Sequence, residues 1–176
     1  MKILLLGPQG SGKSTQAKYL SESLNVPVIS TGDIFRKIAE DSSKEGQKIA
    51  EIVRSGKLVD DETVSLIVKK RLSEEDSKNG FILDGYPRSV KQIEYYDPGF
   101  DKVIFLKIPK QVAVERLLKR GRIDDYKEAI EKRLDEYYQQ IEQILEYYRK
   151  LGSVLEINAE TGIEEVWQQI KEKLSI

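Results

Sequence analysis

The sequence predicts an α/β fold of three layers, a five-stranded parallel sheet flanked by helices. Two observations carry that prediction. Short apolar runs at 3–6, 26–30, 81–83, 103–108 and 154–157 alternate with charged segments whose apolar residues recur at helical spacing. The first run also leads straight into a glycine-rich loop and then a helical pattern, the order of a strand–loop–helix unit. At 176 residues the chain is long enough for one well-buried core and short for two, so a single domain, 1–176, is expected. Lys and Arg total 29 against 30 Asp and Glu, a balance that argues against a nucleic-acid partner. The first apolar run is too short for a signal peptide and no later one approaches a membrane span, so no membrane partner and a cytoplasmic location are expected. With no Cys and no His there is no disulfide, no thiolate–zinc site and no histidine base. Catalysis would have to use Lys, Arg, carboxylates and a metal.

The first strand, Lys2 to Leu6, ends at a stretch from Gly7 to Ser14 that fits G-x-x-x-x-G-K-[ST], the phosphate-binding loop. Glycines at 7, 10 and 12 let the backbone curl and aim successive N–H groups at an anion. The helix starting near Lys13 adds the positive end of its dipole, Lys13 reaches terminal phosphates, and the Ser14 hydroxyl is a candidate Mg²⁺ ligand. The fold class is therefore a P-loop NTPase. After the second strand, residues 31–78 form a mostly helical insert longer than a simple crossover requires. The third strand ends in Asp84 at the carboxyl edge of the sheet, where an acidic residue either holds magnesium through water or caps a turn. Gly85, Tyr86 and Pro87 then make a turn that presents Arg88 to the same edge, and its guanidinium fork suits a second phosphate.

Following the fourth strand, Arg116 and Arg120 are four apart and share a helix face. Arg122 lies just beyond Gly121, and Arg133 about two turns into the next helix. A lone arginine on a helix is usually solvated; four spaced across one turn suggest a charged clamp. In that next helix Ile130, Leu134, Tyr137, Ile141, Ile144 and Tyr148 form an apolar stripe facing the core, and Asp125 with Glu128 resembles a capping box at its start. The fifth strand is followed by 158-NAETGIEEV-166 and a last helical segment.

The blocks 30-STGDIFR-36, 57-KLVDDETV-64, 81-FILDGYPRSVKQ-92 and 116-RLLKRGRIDDYKEAIEKRL-134 resemble those of adenylate kinases, and the resemblance runs from Met1 to nearly the C-terminus. It implies phosphoryl transfer between ATP·Mg²⁺ and AMP to give two ADP. By the same resemblance the ATP contacts are Gly10, Ser11, Gly12, Lys13, Ser14, Thr15, Arg116, Arg120 and Thr161. The AMP pocket is Thr31, Arg36, the backbone of Lys57, Leu58 and Val59, then Gly85, Tyr86, Arg88 and Gln92, with Arg122 and Arg133 bridging to the transferring group. Lys13, Arg88, Arg120, Arg122 and Arg133 are the candidate catalytic residues; Ser14, Asp33 and Asp84 would support Mg²⁺, mostly through water. The 31–78 insert becomes a mobile nucleoside-monophosphate-binding (NMP-binding) part.

Two positions point to AMP as the acceptor. Kinases of UMP and CMP commonly have a small apolar residue at the position of Thr31 and Asn at that of Gln92, whose amide donates and accepts together as the edge of adenine requires. The chain departs from the family at the LID. Members carry a longer stretch between the equivalents of Arg120 and Arg122, some of them holding zinc, whereas here Gly121 stands alone. A vestigial LID at about 120–123 excludes a zinc lid and puts a conventional closing flap in doubt. A monomer is expected, with an oligomer as the alternative. The competing readings are a kinase of UMP, CMP or another small acceptor, and a nucleotide-gated regulatory module. No N-K-x-D guanine reader and no L-S-G-G-Q transporter signature is present.

Overall fold

The computed structural model describes residues 1–40, 47, 51, 59–121 and 126–176. Its strands are β1 (Lys2–Leu6), β2 (Val28–Ser30), β3 (Phe81–Asp84), β4 (Lys102–Lys107) and β5 (Val154–Asn158). They form one sheet in the order β2-β3-β1-β4-β5, and every neighbouring pair is parallel. The described helices are α1 (Lys13–Leu24), α2 (Thr31–Glu40), α3 (Asp61–Leu72), α4 (Val90–Tyr95), α5 (Lys110–Arg120), α6 (Lys127–Lys150) and α7 (Ile163–Leu174). A 3₁₀ turn, Glu75–Ser77, leads from α3 toward β3.

The strands read as unbroken apolar runs because helices cover both faces of the sheet. In β1, Ile3 and Leu5 pack into one core with Ala17 and Leu20 of α1, Leu117 of α5, and Val166 and Ile170 of α7. Leu4 and Leu6 point the other way, into a core closed by Ile141, Ile144, Leu145 and Tyr148 of α6. Helix α6 serves both cores, since Ile130 and Leu134 near its start belong to the first. The stripe read from the sequence is the buried face, with Tyr137 only half-buried. A third cluster joins Val64, Val68 and Leu72 of α3 to Ile29, Leu83 and Tyr86, and this fastens the described part of the insert to the sheet edge.

Two boundaries differ from expectation for local reasons. β2 begins at Val28 rather than 26, because Pro27 has no N–H to place in the ladder; its carbonyl still accepts from Ile82 N–H at 2.9 Å. Helix α6 begins at Lys127 with Tyr126 at its N-cap and no side-chain cap, while Asp125 lies outside the described residues, as do Lys57, Leu58 and Arg122.

Candidate active site

The strand register gathers the chemistry at one edge. Leu5 of β1 and Ser30 of β2 both stand opposite Asp84 of β3, so the phosphate loop after Leu6, the start of α2 and the turn after Asp84 leave the sheet side by side. Gly12 is the N-cap of α1 with φ 91, ψ 11, a left-handed conformation that glycine adopts without steric cost. Thr15 and Gln16 N–H both bond back to Gly12 O, so the first turn of α1 is formed and Ser14 is exposed on it.

Lys13 curls over its own loop, its Nζ donating to Gly7 O at 2.7 Å and Pro8 O at 3.0 Å. Burial lowers its pKa; the charge of Asp84 opposes that shift and the charge of Arg88 adds to it. Lys13 therefore lies within electrostatic reach of both Asp84 and Arg88. Arg88 is held by Gly85 O, to which its Nε donates at 2.9 Å, and its side chain remains exposed. Gly85, at φ 90, lies against Thr31 Oγ1 with Arg88 Nη2 beyond, so a Cβ there would collide with the threonine hydroxyl. The Tyr86–Pro87 peptide bond of this turn is cis.

Arg116 bridges two loops. Its Nη1 donates to Ala159 O at 2.9 Å and Gly10 O at 3.4 Å, and its Nη2 to Glu160 O at 3.1 Å. That ties the phosphate loop to the segment carrying Thr161, whose exposed hydroxyl lies 3.5 Å from Asn158 O. Arg120 is exposed at the end of α5, and Gly121 caps the helix in the left-handed region at φ 63. Half-buried Arg133 donates from Nε to Ala129 O at 3.2 Å.

On the other side, Thr31 and Gln92 are buried, 3% and 5% exposed, and so neither is a solvated surface residue. Gln92 Oε1 accepts from Arg88 N–H at 2.7 Å and its Nε2 donates to Asp61 Oδ1 at 2.8 Å. Arg36 and Asp33 are exposed and paired with each other. Val59 is half-buried against the third cluster. The Tyr86 side chain turns into the core, its hydroxyl 2.6 Å from Gln92 O, 2.5 Å from Tyr96 O and 3.1 Å from Ser65 Oγ, and burial pushes its pKa up to about 12. Only its backbone is left for a ligand.

Two features escaped the sequence reading. Asp61 and Ser65 of α3 reach Gln92 across 31 and 27 residues. The stretch 89-SVKQ-92 could have flagged half of this, being a capping pattern in which the Ser89 hydroxyl accepts from Gln92 N–H at 3.2 Å. Tyr137, one turn beyond Arg133, has its hydroxyl buried near Gly7 and Asp84 without a hydrogen bond of ordinary geometry; burial above all pushes its pKa up.

A hard divalent cation suits what is present. Ser14 and Asp84 supply oxygen only, at the phosphate loop and the adjoining strand end, which fits magnesium with most of its waters retained. Among the described residues no three carboxylates converge into an all-protein metal cage.

Comparison with known proteins points the same way. The chain matches the family described as "Adenylate kinase" over residues 5–153. It is 40% identical over 173 residues to the adenylate kinase of Corynebacterium urealyticum, covering 94% of each chain. It is 39% identical over 180 residues to adenylate kinase 1 of a Nostoc species, with 98% of each covered. With the adenylate kinase of Clostridium kluyveri the identity is 36% over an alignment of 212 residues, 99% of this chain and 98% of that protein. That relative is therefore the longer of the two.

Proposed function

Because the chain belongs to the adenylate kinase family, we propose that it transfers the terminal phosphoryl group of ATP to AMP, giving two molecules of ADP, at the carboxyl edge of its sheet. The observation that carries this reading is the meeting of Lys13, Asp84 and Arg88 between two nucleotide sides, with Arg116 joining Gly10 to Ala159 on one and the buried Gln92 on the other.

An oxygen of the AMP phosphate forms the new bond to the γ-phosphorus of ATP. The bond from that phosphorus to the bridging oxygen breaks, and its electron pair stays on the departing ADP. The attacking oxygen is already ionised near neutral pH, so no general base is needed, consistent with a chain that has no His. The protein's work is positioning and neutralisation of charge on the equatorial oxygens. The loop from Gly10 to Thr15 holds the ATP phosphates with its N–H groups, and Lys13 exchanges its two loop carbonyls for the terminal phosphates. Arg88 holds the acceptor phosphate with Arg36, while Arg120, Arg122 and Arg133 follow the transferring group. Arg116 and the backbone at Thr161 flank the ATP base; Thr31, Val59 and Gln92 line the AMP base, with Lys57 and Leu58 completing that pocket. Ser14 and Asp84, with Asp33 beyond, would hold magnesium and its waters, which would neutralise and orient the phosphates.

In domain terms the chain is one unit with an NMP-binding insert at about 31–78 and a vestigial LID at about 120–123. A cytoplasmic monomer without zinc, nucleic-acid or membrane partner is consistent with the near-balance of charge, the absence of Cys and His, and the fact that no described helix is long and apolar enough to cross a membrane. Measuring ADP formation from ATP with AMP, CMP, UMP and GMP as acceptors tests the proposal. AMP should be far the best; equal or faster use of CMP or UMP would replace this reading with a pyrimidine-nucleotide kinase.

A further inference from the structure

The Gln92 amide is gripped at both ends by groups of opposite and fixed character. The Arg88 backbone N–H can only donate, and it takes Oε1 at 2.7 Å; the Asp61 carboxylate can only accept, and it takes Nε2 at 2.8 Å. Turning the amide over would set donor against donor at Arg88 and acceptor against acceptor at Asp61. Each partner uses one lone pair or one hydrogen, so a single acceptor site on Oε1 and a single N–H on Nε2 remain, in a fixed order. Asp61 is itself held in place. It is the first residue of α3, where Asp60 caps the helix by accepting from Thr63 N–H at 2.9 Å, and Ser65 Oγ donates to Asp61 O at 2.7 Å. The Tyr86 oxygen lies 3.1 Å from Ser65 Oγ and 2.6 Å from Gln92 O, so α3 and α4 meet around one buried polar cluster.

Resting on the reading of Gln92 as the group that meets the acceptor base, we propose that Asp61 is a positioning residue for acceptor specificity: its carboxylate fixes the direction in which the Gln92 amide presents its donor and its acceptor. Adenine offers a donor at its six-position amine and an acceptor at N1, and this edge matches the fixed order. Hypoxanthine is the same ring with that order reversed, an oxygen acceptor at position six and a hydrogen on N1. A locked glutamine therefore refuses it, and an unlocked one does not.

The test compares AMP with inosine monophosphate as acceptors for the full chain and its variants. Asp61→Ala should lower the AMP-over-IMP ratio of kcat/KM by about tenfold, raising the KM for AMP and leaving the KM for ATP where it was. Asp61→Asn keeps an acceptor oxygen but can also turn its NH2 toward the glutamine, and should fall between the parent and Asp61→Ala. Asp61→Glu keeps the charge at the helix start but displaces the carboxylate by one methylene, and should lose preference while melting near the parent temperature. This last variant reads the effect even if the alanine is too unstable to assay. Gln92→Leu is the control. An unchanged ratio in Asp61→Ala and Asp61→Glu, with Gln92→Leu lowered, overturns the role of Asp61 alone. A ratio unmoved in Gln92→Leu as well overturns the base-reading glutamine and this inference with it. Equal loss in the Asn and Ala variants with none in Glu would assign the effect to helix charge and overturn the proposal.

Discussion

Lys13 donates to two carbonyls of its own loop, Gly7 O and Pro8 O, while burial pulls its pKa down against the opposing field of Asp84. A phosphate arriving there replaces two neutral acceptors with a charged one, and charge-assisted hydrogen bonds are roughly twice as strong as neutral ones. Lys13→Ala should for that reason remove most phosphoryl transfer. Arg88→Ala should do the same, because its exposed guanidinium faces the same edge and is anchored, among the described residues, at Gly85 O. Losses on the order of 10² to 10⁵ in rate are expected with the fold intact by circular dichroism. Near-normal transfer by a folded Arg88→Ala variant would remove Arg88 from the acceptor site. On the proposed reading Thr31 and Gln92 read the acceptor base, so Gln92→Asn with Thr31→Ala should narrow the preference for AMP over CMP by about 1–3 kcal/mol, read as a ratio of kcat/KM values. An unchanged ratio would put base reading elsewhere. Lys13 and Ser14 were legible in the sequence because the phosphate loop needs its residues at fixed spacing. Asp61 was not, since its bond to Gln92 spans 31 residues and exists only once α3 has packed on α4.

At the scale of elements, each strand lies within two residues of its apolar run, because a strand buried on both faces must be apolar throughout and then stop. Helix α6 was equally legible from its stripe. Helix α4 was not, because six residues are under two turns and show no period; its signal is the Ser89 cap alone. What fastens α4 is Tyr86, whose hydroxyl reaches carbonyls at Gln92 and Tyr96 from beneath, at 2.6 and 2.5 Å. Tyr86→Phe leaves the Tyr96 carbonyl without that donor and should cost about 1–3 kcal/mol in urea unfolding at neutral pH. The pH dependence has a definite sign. In the unfolded chain this phenol ionises near its ordinary 10, whereas burial holds it neutral in the fold to about 12. Between those values the folded state keeps a proton that the unfolded state has lost, so the contribution is complete below pH 10 and declines as pH rises through the window. Tyr86→Phe should flatten the alkaline fall in stability. Identical slopes for parent and variant would mean that Tyr86 is not the phenol responsible.

Across the whole molecule the net charge is only −1, yet Lys13 and Arg88 stand just beyond the carboxyl ends of β1 and β3, and Arg116 of α5 reaches the phosphate loop at Gly10 O. On the proposed reading, these groups stabilise the transferring charge from the scaffold itself. Helix α5 ends at Arg120 and α6 begins at Lys127, so six residues, 121–126, separate them, few for a flap, and the longer Clostridium kluyveri relative carries residues this chain lacks. Closure over a transferring phosphoryl group normally expels water, which both prevents hydrolysis and strengthens each charge contact inside. With the arginines presented from α5 and α6 across a short connection, transfer should survive and water exclusion should suffer. The expected outcome is an AMP-dependent kinase with a measurable release of phosphate from ATP alone, and a weaker hold on the ATP base than in the longer relative. The competing account is that a second copy of the chain covers the nucleotide, in which case the active form is an oligomer and the leak is small. Phosphate release with ATP alone, measured beside the longer enzyme, and the mass in solution with both nucleotides bound separate the two. A monomer that leaks no more than its longer relative would show that a flap is not what keeps water from the phosphoryl group, and that the fixed arginine clamp, by holding acceptor and donor in line, leaves water no productive approach.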